Sequence, residues 1–260
     1  MDEILVVTDS RGKEIYDFLR RELYLTAKPL PGATIQEIAA VAKEEHVGKT
    51  YKLTVIAGGI CNLTYRETVS GIKHLRYNTN EERRKIKLEQ IKNAFLDIQE
   101  NINPVIFCTI TPASIIKYYQ FKNWKKISKG QAPKSPHIGY QEEQKALQTD
   151  VNILNEFLKE NSINRNTKTV NWHKFSIKNS LTKNRRGRKK RIAKFVDINI
   201  PDGVHFNKKL RHLCYEETLK VVKKRIAVEK ENEETATESE LNTSQESSTS
   251  WDFKRESKND

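Results

Sequence analysis

Short apolar runs alternate along the chain with longer segments in which apolar residues recur every three or four positions. The short runs are typical of buried strands, and the longer segments have the period of an amphipathic helix. The predicted strands are Ile4–Val7, Leu53–Ala57 and Val105–Thr109, with weaker ones at Thr167–Asn171 and Phe195–Ile198. The predicted helices are a first one through Ile15, Phe18, Leu19 and Leu23, then Thr34–Glu45, Glu81–Ile102, Tyr140–Lys159 and Lys208–Arg225.

Apolar strands separated by helices indicate a parallel sheet that helices cover on both faces. The pattern therefore predicts an α/β fold, a three-layer α/β/α sandwich around a parallel sheet of about five strands, of the flavodoxin-like type. Ile4–Val7 and Leu53–Ala57 are expected inside the sheet. In such sheets, ligands bind at the carboxyl ends of the strands.

Polar and glycine-rich blocks follow three of the predicted strands. Thr8-Asp9-Ser10-Arg11-Gly12 follows the first strand, Gly58-Gly59-Ile60-Cys61-Asn62 follows Leu53–Ala57, and an Asp-x-x-His block, Asp202 to His205, follows the last strand. Taken singly, a Ser at a helix start is typical of an N-cap, and Asp-Gly is a common turn dipeptide. Together, the blocks place a serine, an asparagine loop and a histidine at one edge of the sheet.

This arrangement resembles the SGNH (GDSL-like) hydrolase family, and the match runs from Ile4 to about Arg225. Gly32, in the loop before a helix, matches the family's second block. The resemblance implies an esterase or deacylase that acts on a small ester and needs no cofactor. It assigns Ser10 as nucleophile, His205 as general base and Asp202 as the group that orients the imidazole.

The resemblance also assigns oxyanion donors: the backbone N–H groups of Ser10 and Gly32, and an Asn side chain. Two positions depart from the family pattern. Thr8 stands where the family has Gly, and Cys61 stands at the Asn position when the loop is aligned on Gly59. A thiol is a poor donor. Either a one-residue shift brings Asn62 into the hole, or the hole is weakened and the protein is a slow or retired hydrolase.

Charge is unevenly distributed over the 260 residues, whose net charge is +13. From Ala227 onward ten acidic and four basic residues give −6, so the preceding residues carry +19. One basic segment, Lys183–Lys194, has eight bases and no acid, and we expect an exposed loop that serves as a nuclear-localisation signal or contacts nucleic-acid phosphates. Its candidate nucleic-acid contacts are Arg185, Arg186, Arg188, Lys189, Lys190 and Arg191.

A second basic segment, Lys117–Lys134, interleaves six lysines with Tyr118, Tyr119, Phe121 and Trp124. This mixture suits stacking on unpaired bases combined with phosphate contacts. The alternative is that the aromatic side chains cover the sheet edge while the lysines face water. A binding module that contacts nucleic acid therefore stands beside the hydrolase as a second function. Esterase-like domains similar to this one occur in first-reading-frame proteins of some non-LTR retrotransposons. A scaffold that docks through the acidic tail is a third interpretation.

Other features bear on domain organisation and cellular context. Residues 1–226 are expected to form one domain, and 227–260 a disordered tail because this Glu-, Ser- and Thr-rich stretch is poor in apolar residues. Three scattered cysteines and unclustered histidines predict neither a disulfide framework nor a metal site. The sequence shows neither a signal peptide nor an apolar run of membrane-spanning length, so an intracellular protein, cytoplasmic or nuclear and without membrane contact, is expected.

Overall fold

The computed structural model describes residues 3–69, 71–130, 139–164, 168–183 and 189–252. Its elements in chain order are β1 (Ile4–Thr8), α1 (Lys13–Leu19), β2 (Leu25–Pro29), α2 (Ile35–Glu45), β3 (Leu53–Ala57), α3 (Ile60–Leu63), β4 (Thr64–Val69), β5 (Ile72–Tyr77), α4 (Glu81–Asn101), β6 (Val105–Cys108), α5 (Ile115–Ile127), α6 (Tyr140–Asn164), β7 (Thr169–Val170), β8 (Ile177–Lys183), β9 (Lys189–Phe195) and α7 (Lys208–Asp252). Short 3-10 helices span His173–Ser176 and Asp197–Asn199.

Five parallel strands form the central sheet in the order β2–β1–β3–β6–β7. Strand β1 pairs with β2 and β3 along its whole length, so that Ile4 lies opposite both Leu25 and Leu53. The predicted α/β fold with a five-stranded parallel sheet is confirmed, and both β1 and β3 lie inside it. The carboxyl ends of β1 and β3 therefore lie side by side, which brings the blocks that follow them together.

Alternate residues of the inner strands face two different cores, because successive side chains of a strand point to opposite faces. Leu5 and Val7 belong to a large apolar cluster that includes residues of α2, α4 and α6. Ile4 and Val6 are also buried, but on the other face. There α1 meets the first turns of α7, where the rings of Phe18 and Tyr215 lie 5.6 Å apart.

The edge strand β2, the hairpin β4–β5 and helix α5 were not predicted from the sequence. Strand β2 has only half-buried residues and ends in a proline, so it lacks the continuous apolar run that marks the inner strands. The antiparallel hairpin β4–β5 and helix α5 follow the second and third inner strands, respectively, and pack against each other. Their residues carry many charges, which weakened the apolar pattern.

The prediction that Phe195–Ile198 forms a strand of the central sheet is wrong. Phe195 instead ends β9, which pairs antiparallel with β8 in a separate two-stranded sheet, and Asp197–Asn199 is a 3-10 helix. The pairing partner is close in sequence, so a local hairpin forms in place of the predicted strand of the central sheet. The expected exposed loop at Lys183–Lys194 is accordingly strand at Lys183 and Lys189–Lys194, and residues 184–188 lie outside the described part of the chain.

Helix α7 continues to Asp252 and so passes through the acidic segment from Ala227 that the sequence predicts to be disordered. This segment contains several Glu residues together with Ala, residue types that favour helix, whereas the disorder prediction rested on its poverty in apolar residues. The chain divides into two compact units, Met1–Leu219 and Lys220–Asp260, and the sheet belongs to the first. In the described ranges no helix has the length and apolar character needed to cross a membrane.

Candidate active site

Ser10 lies in the tight turn between β1 and α1. The turn is held by the backbone: the N–H of Asp9 donates to the carbonyl of Ala57 at 3.0 Å, and the N–H of Gly12 donates to the carbonyl of Asp9 at 3.2 Å. Gly12, not Ser10, occupies the N-cap position of α1. The half-buried Ser10 is therefore not needed to cap the helix and lies at the carboxyl edge of the sheet.

Thr8 stands where the resembled family has glycine, and the space that its side chain needs is left free by Gly12, four residues later. The Thr8 side chain is buried, and a Cβ placed on Gly12 would overlap Thr8 Oγ1 and lie 2.7 Å from Thr8 Cβ. The turn accommodates the larger residue at position 8 because position 12 has no side chain.

His205 and Asp202 are joined by two kinds of hydrogen bond. Asp202 Oδ2 lies 2.7 Å from His205 Nδ1, and Asp202 Oδ1 accepts the backbone N–H groups of Val204 and His205 at 2.9 and 2.7 Å. Burial on its own would raise the pKa of Asp202, but these hydrogen bonds outweigh it and hold the pKa below the usual value. The carboxylate therefore stays charged and fixes the imidazole with Nδ1 toward Asp202, which leaves Nε2 directed elsewhere.

Gly203 fixes the position of this Asp-x-x-His loop against α5. Its φ angle is +80°, its carbonyl accepts the N–H of Ser114 at 2.8 Å, and a Cβ there would overlap backbone atoms of Ser114 and Tyr118. Only glycine satisfies both the backbone conformation and the close approach. The loop is thereby seated at the start of α5.

One cavity of about 460 Å³ brings the sequence-predicted residues together. Ser10, Gly32, Cys61 and His205 all line it, and Asp202 lies behind His205. The positions assigned to nucleophile, base and oxyanion donors thus converge from the two ends of the first compact unit. Its remaining walls are Arg11, Pro31, Ile60, Thr64, Tyr65, Arg66, Leu75, Ala113 and Val204.

Asn62 does not line this cavity, because its side chain is engaged at the start of α2. Its Oδ1 accepts the N–H of Ile35 at 2.7 Å, and its Nδ2 donates to Gln36 Oε1 at 2.6 Å. Of the two loop residues, Cys61 is therefore the one that lines the cavity with Ser10. Burial, with the nearby Asp9 carboxylate, raises the pKa of Cys61 to about 11, so the thiol is neutral at physiological pH.

Arg11 is a buried charge beside Ser10 that sequence reasoning did not single out. Its Nη1 donates to the Thr111 carbonyl and, at 2.8 Å, to Thr111 Oγ1, while its Nε and Nη2 have no hydrogen-bond partner in the described structure. Burial lowers its pKa, opposed by the charge of Asp9, and burial likewise raises the pKa of Asp9. A basic residue after a serine carries no sequence signal for burial, which explains why it was missed.

The predicted nucleic-acid contacts fall at the edge of what the structure describes. Arg185, Arg186 and Arg188 lie outside the described residues, and the backbone of Lys189, Lys190 and Arg191 belongs to β9.

The second basic segment, Lys117–Lys134, is only partly described, to Gly130. Tyr118 and Tyr119 are buried, as expected if the aromatics cover the fold, whereas Trp124 is 62% exposed. A separate cavity of about 250 Å³ is lined mostly by lysines, with Gly71 and Ile72 of the hairpin completing it. The lysines are Lys73, Lys122, Lys125, Lys126 and Lys129.

Solved structures with a similar fold include lipases, an acylhydrolase and esterases. A lipase/acylhydrolase from Enterococcus faecalis shares 14% identity, with 86% of this chain and 97% of that chain covered and a TM-score of 0.53. A GDSL-like lipase from Bacteroides thetaiotaomicron shares 14%, with 87% and 88% covered and a TM-score of 0.51. The M. smegmatis aryl esterase shares 10%, with 86% and 99% covered and a TM-score of 0.51. No family model and no curated protein matches the sequence.

Proposed function

We propose that the protein is an SGNH-type serine hydrolase that cleaves a small ester with Ser10, His205 and Asp202. The observation that carries the proposal is that Ser10 and His205 line one cavity while His205 Nδ1 is hydrogen-bonded to Asp202. This order of groups is what an acyl-transfer triad requires, because the base must be oriented by a third group.

In the proposed reaction, Ser10 Oγ attacks the ester carbonyl carbon while His205 Nε2 accepts the hydroxyl proton. The tetrahedral intermediate collapses, the carbon–oxygen bond of the ester breaks, and the alcohol leaves with the proton from His205. Water then attacks the acyl-serine and gives a proton to His205, and the acid departs as Ser10 recovers that proton. Asp202 stabilises the imidazolium in both steps without being protonated.

The oxyanion of each intermediate would be held by the backbone N–H groups of Ser10 and Gly32. Cys61 stands where the resembled family has an amide donor, and its neutral thiol donates weakly. Loss of one oxyanion donor lowers the rate by about 10²–10³. We therefore propose a slow hydrolase that has retained its triad.

Fluorophosphonate labelling tests this proposal directly, because the probe reacts only with an activated serine. Ser10→Ala should abolish labelling and ester turnover, His205→Ala should nearly do so, and Asp202→Asn should leave a residual rate. Ser128→Ala, a change at an exposed serine that follows α5, is the matched control and should label like the wild type. Folded wild-type protein that neither labels nor cleaves any ester would refute the hydrolase.

A nucleic-acid-binding module is the second candidate, favoured by the cavity lined by five lysines. Filter binding at two salt concentrations tests it, since log affinity falls with log salt at about 0.7 to 0.9 per phosphate contact. Two multiple variants are compared. One neutralises four lysines of the cavity, Lys122, Lys125, Lys126 and Lys129, and the other neutralises four bases of the first basic segment, Arg185, Arg186, Lys189 and Lys190. Affinity that ignores salt, or that survives both sets of changes, would exclude this function. The similarity to retrotransposon-encoded esterase-like domains stays a prediction.

A further inference from the structure

A second cavity, of about 380 Å³, adjoins the candidate active-site cavity. The two share three wall residues, Cys61, Thr64 and Tyr65. An ester whose carbonyl lies between Ser10 and Cys61 therefore has room to extend one of its branches past Cys61 toward the second cavity. Its remaining walls are Asn62, Leu63, Tyr77, Asn78, Arg83, Arg84 and Lys87.

The second cavity is electropositive. Arg84 is neutralised by Asp150, whose carboxylate oxygens lie 2.6 and 3.0 Å from the guanidinium. Arg83 and Lys87 are exposed, and no ion pair to either is found among the described residues. No Asp or Glu is found among the described residues that line the two cavities. Arg66 adds a further cation to the wall of the active-site cavity.

Local helix stability does not explain this placement of charge. Arg83 and Lys87 are four residues apart in α4, so they lie on the same face and repel each other. Arg83 also lies in the first turn of the helix, where its backbone N–H donates to the N-cap side chain of Asn80 and where the helix dipole disfavours a cation. An anion held between the two side chains would relieve both effects.

We infer that the second cavity binds an anionic group, a carboxylate or a phosphate, on the ester that Ser10 cleaves. The inference rests on the proposed hydrolase function and narrows its substrate to a class. Arg83 and Lys87 make the charged contacts with the anion. Behind them, Asp150 accepts hydrogen bonds from Arg84 and from the Tyr77 hydroxyl and so fixes the position of both side chains in the cavity wall. Arginine and lysine are the side chains that suit carboxylate and phosphate recognition.

Matched pairs of esters test the inference through turnover. Mono-4-nitrophenyl succinate against 4-nitrophenyl butyrate places the carboxylate on the acyl side, and 4-acetoxybenzoate against phenyl acetate places it on the alcohol side. In at least one pair we expect kcat/KM to favour the anionic ester by about tenfold at low salt, and the preference to shrink as salt is added. The double variant Arg83→Gln/Lys87→Gln should lose most of that ratio. Lys85→Gln, on the same helix and paired with Glu81, should keep it.

Thermal unfolding with succinate and with inorganic phosphate tests the same cavity without turnover and separates the two anions. We expect a saturable rise of Tm in the wild type, in Ser10→Ala and in Lys85→Gln, but not in the double variant. Equal kcat/KM within both ester pairs, or a Tm rise that persists in the double variant, would overturn the inference. If no ester is cleaved and no probe label forms, the hydrolase proposal fails by itself, and the Tm comparison alone decides whether the anion site exists.

Discussion

Thr8 and Gly12 form a size-matched pair beneath the serine turn. Gly12→Ala should destabilise the protein by about 1–3 kcal/mol, because its Cβ would overlap the Thr8 side chain. In the double variant Thr8→Gly/Gly12→Ala the overlap is gone, so the loss should be smaller than the sum of the two single losses by about 1 kcal/mol or more. Urea denaturation of the four proteins measures this coupling. Additive losses would show that the two positions are independent.

Cys61 and Asn62 should respond to substitution in opposite ways. Cys61→Asn adds an amide donor beside Ser10 and should raise turnover by about one to two orders of magnitude. Asn62→Ala removes the buried acceptor of the Ile35 N–H and should lower the free energy of unfolding by about 1–3 kcal/mol. Ester kinetics and urea denaturation of both variants check this. A stable Asn62→Ala protein that has lost its activity, with no gain from Cys61→Asn, would instead make Asn62 the donor.

At this scale, sequence blocks predicted Ser10, Gly32, Cys61 and His205, which the fold places around one cavity. The sequence left open whether Cys61 or Asn62 lines the cavity. The answer depends on the direction of the backbone at Gly59, which has a φ angle of +107°. The burial of Arg11 could not be predicted either, because it depends on Thr111, a hundred residues away in the chain.

Among the elements, the Asp202–His205 loop depends most directly on one backbone contact. Gly203→Ala should displace the loop from α5 and reduce fluorophosphonate labelling by at least about tenfold, since the base would lose its position. Gly130→Ala is the matched control, because Gly130 also has a positive φ angle, +76°, but open space around its Cα. The labelling rate of both variants, with circular dichroism to check the fold, gives the comparison. Equal labelling would show that the contact with α5 does not position His205.

Elements with a continuous apolar run or a strong helical period were predicted almost to the residue, as β3 and α4 show. The edge strand β2 and the β4–β5 hairpin were missed because neither β2 nor β4 has the continuous apolar run that predicts a buried strand. Helix α5 was hidden because lysines alternate with its aromatic residues, although Ser114 caps it by accepting the N–H of Lys117 at 3.3 Å. The local pairing of β8 with β9 prevailed over the predicted sheet strand Phe195–Ile198.

For the molecule as a whole, His173 makes stability depend on pH. Burial, with a contribution from Lys159, lowers its pKa from 6.5 to about 4. The unfolded chain binds the proton more readily, so this contribution to stability is complete above pH 6.5 and is lost as pH falls toward 4. It amounts to about 2 kcal/mol between pH 6.5 and pH 5.

Urea denaturation at several pH values tests this with His173→Gln, which should show a shallower fall in stability than the wild type over that range. The exposed His212→Gln is the control and should keep the wild-type slope. Parallel curves for wild type and His173→Gln would assign the pH dependence to other groups. Both proteins contain the same carboxylates, so the contribution of these groups to the pH dependence of stability cancels in the comparison.

Ser10 and His205 line one cavity, although Ser10 lies near the start and His205 near the end of the first unit's sequence. A ribosome-bound chain that has exposed the first strands would hold a serine without a base, and a fragment that lacks the last loop would be inert. The proposed reaction therefore requires contacts between segments far apart in the chain, and such non-local contacts form slowly. In the proposed hydrolase, ester turnover would therefore report complete folding of the first compact unit, and a partly synthesised chain would not cleave esters.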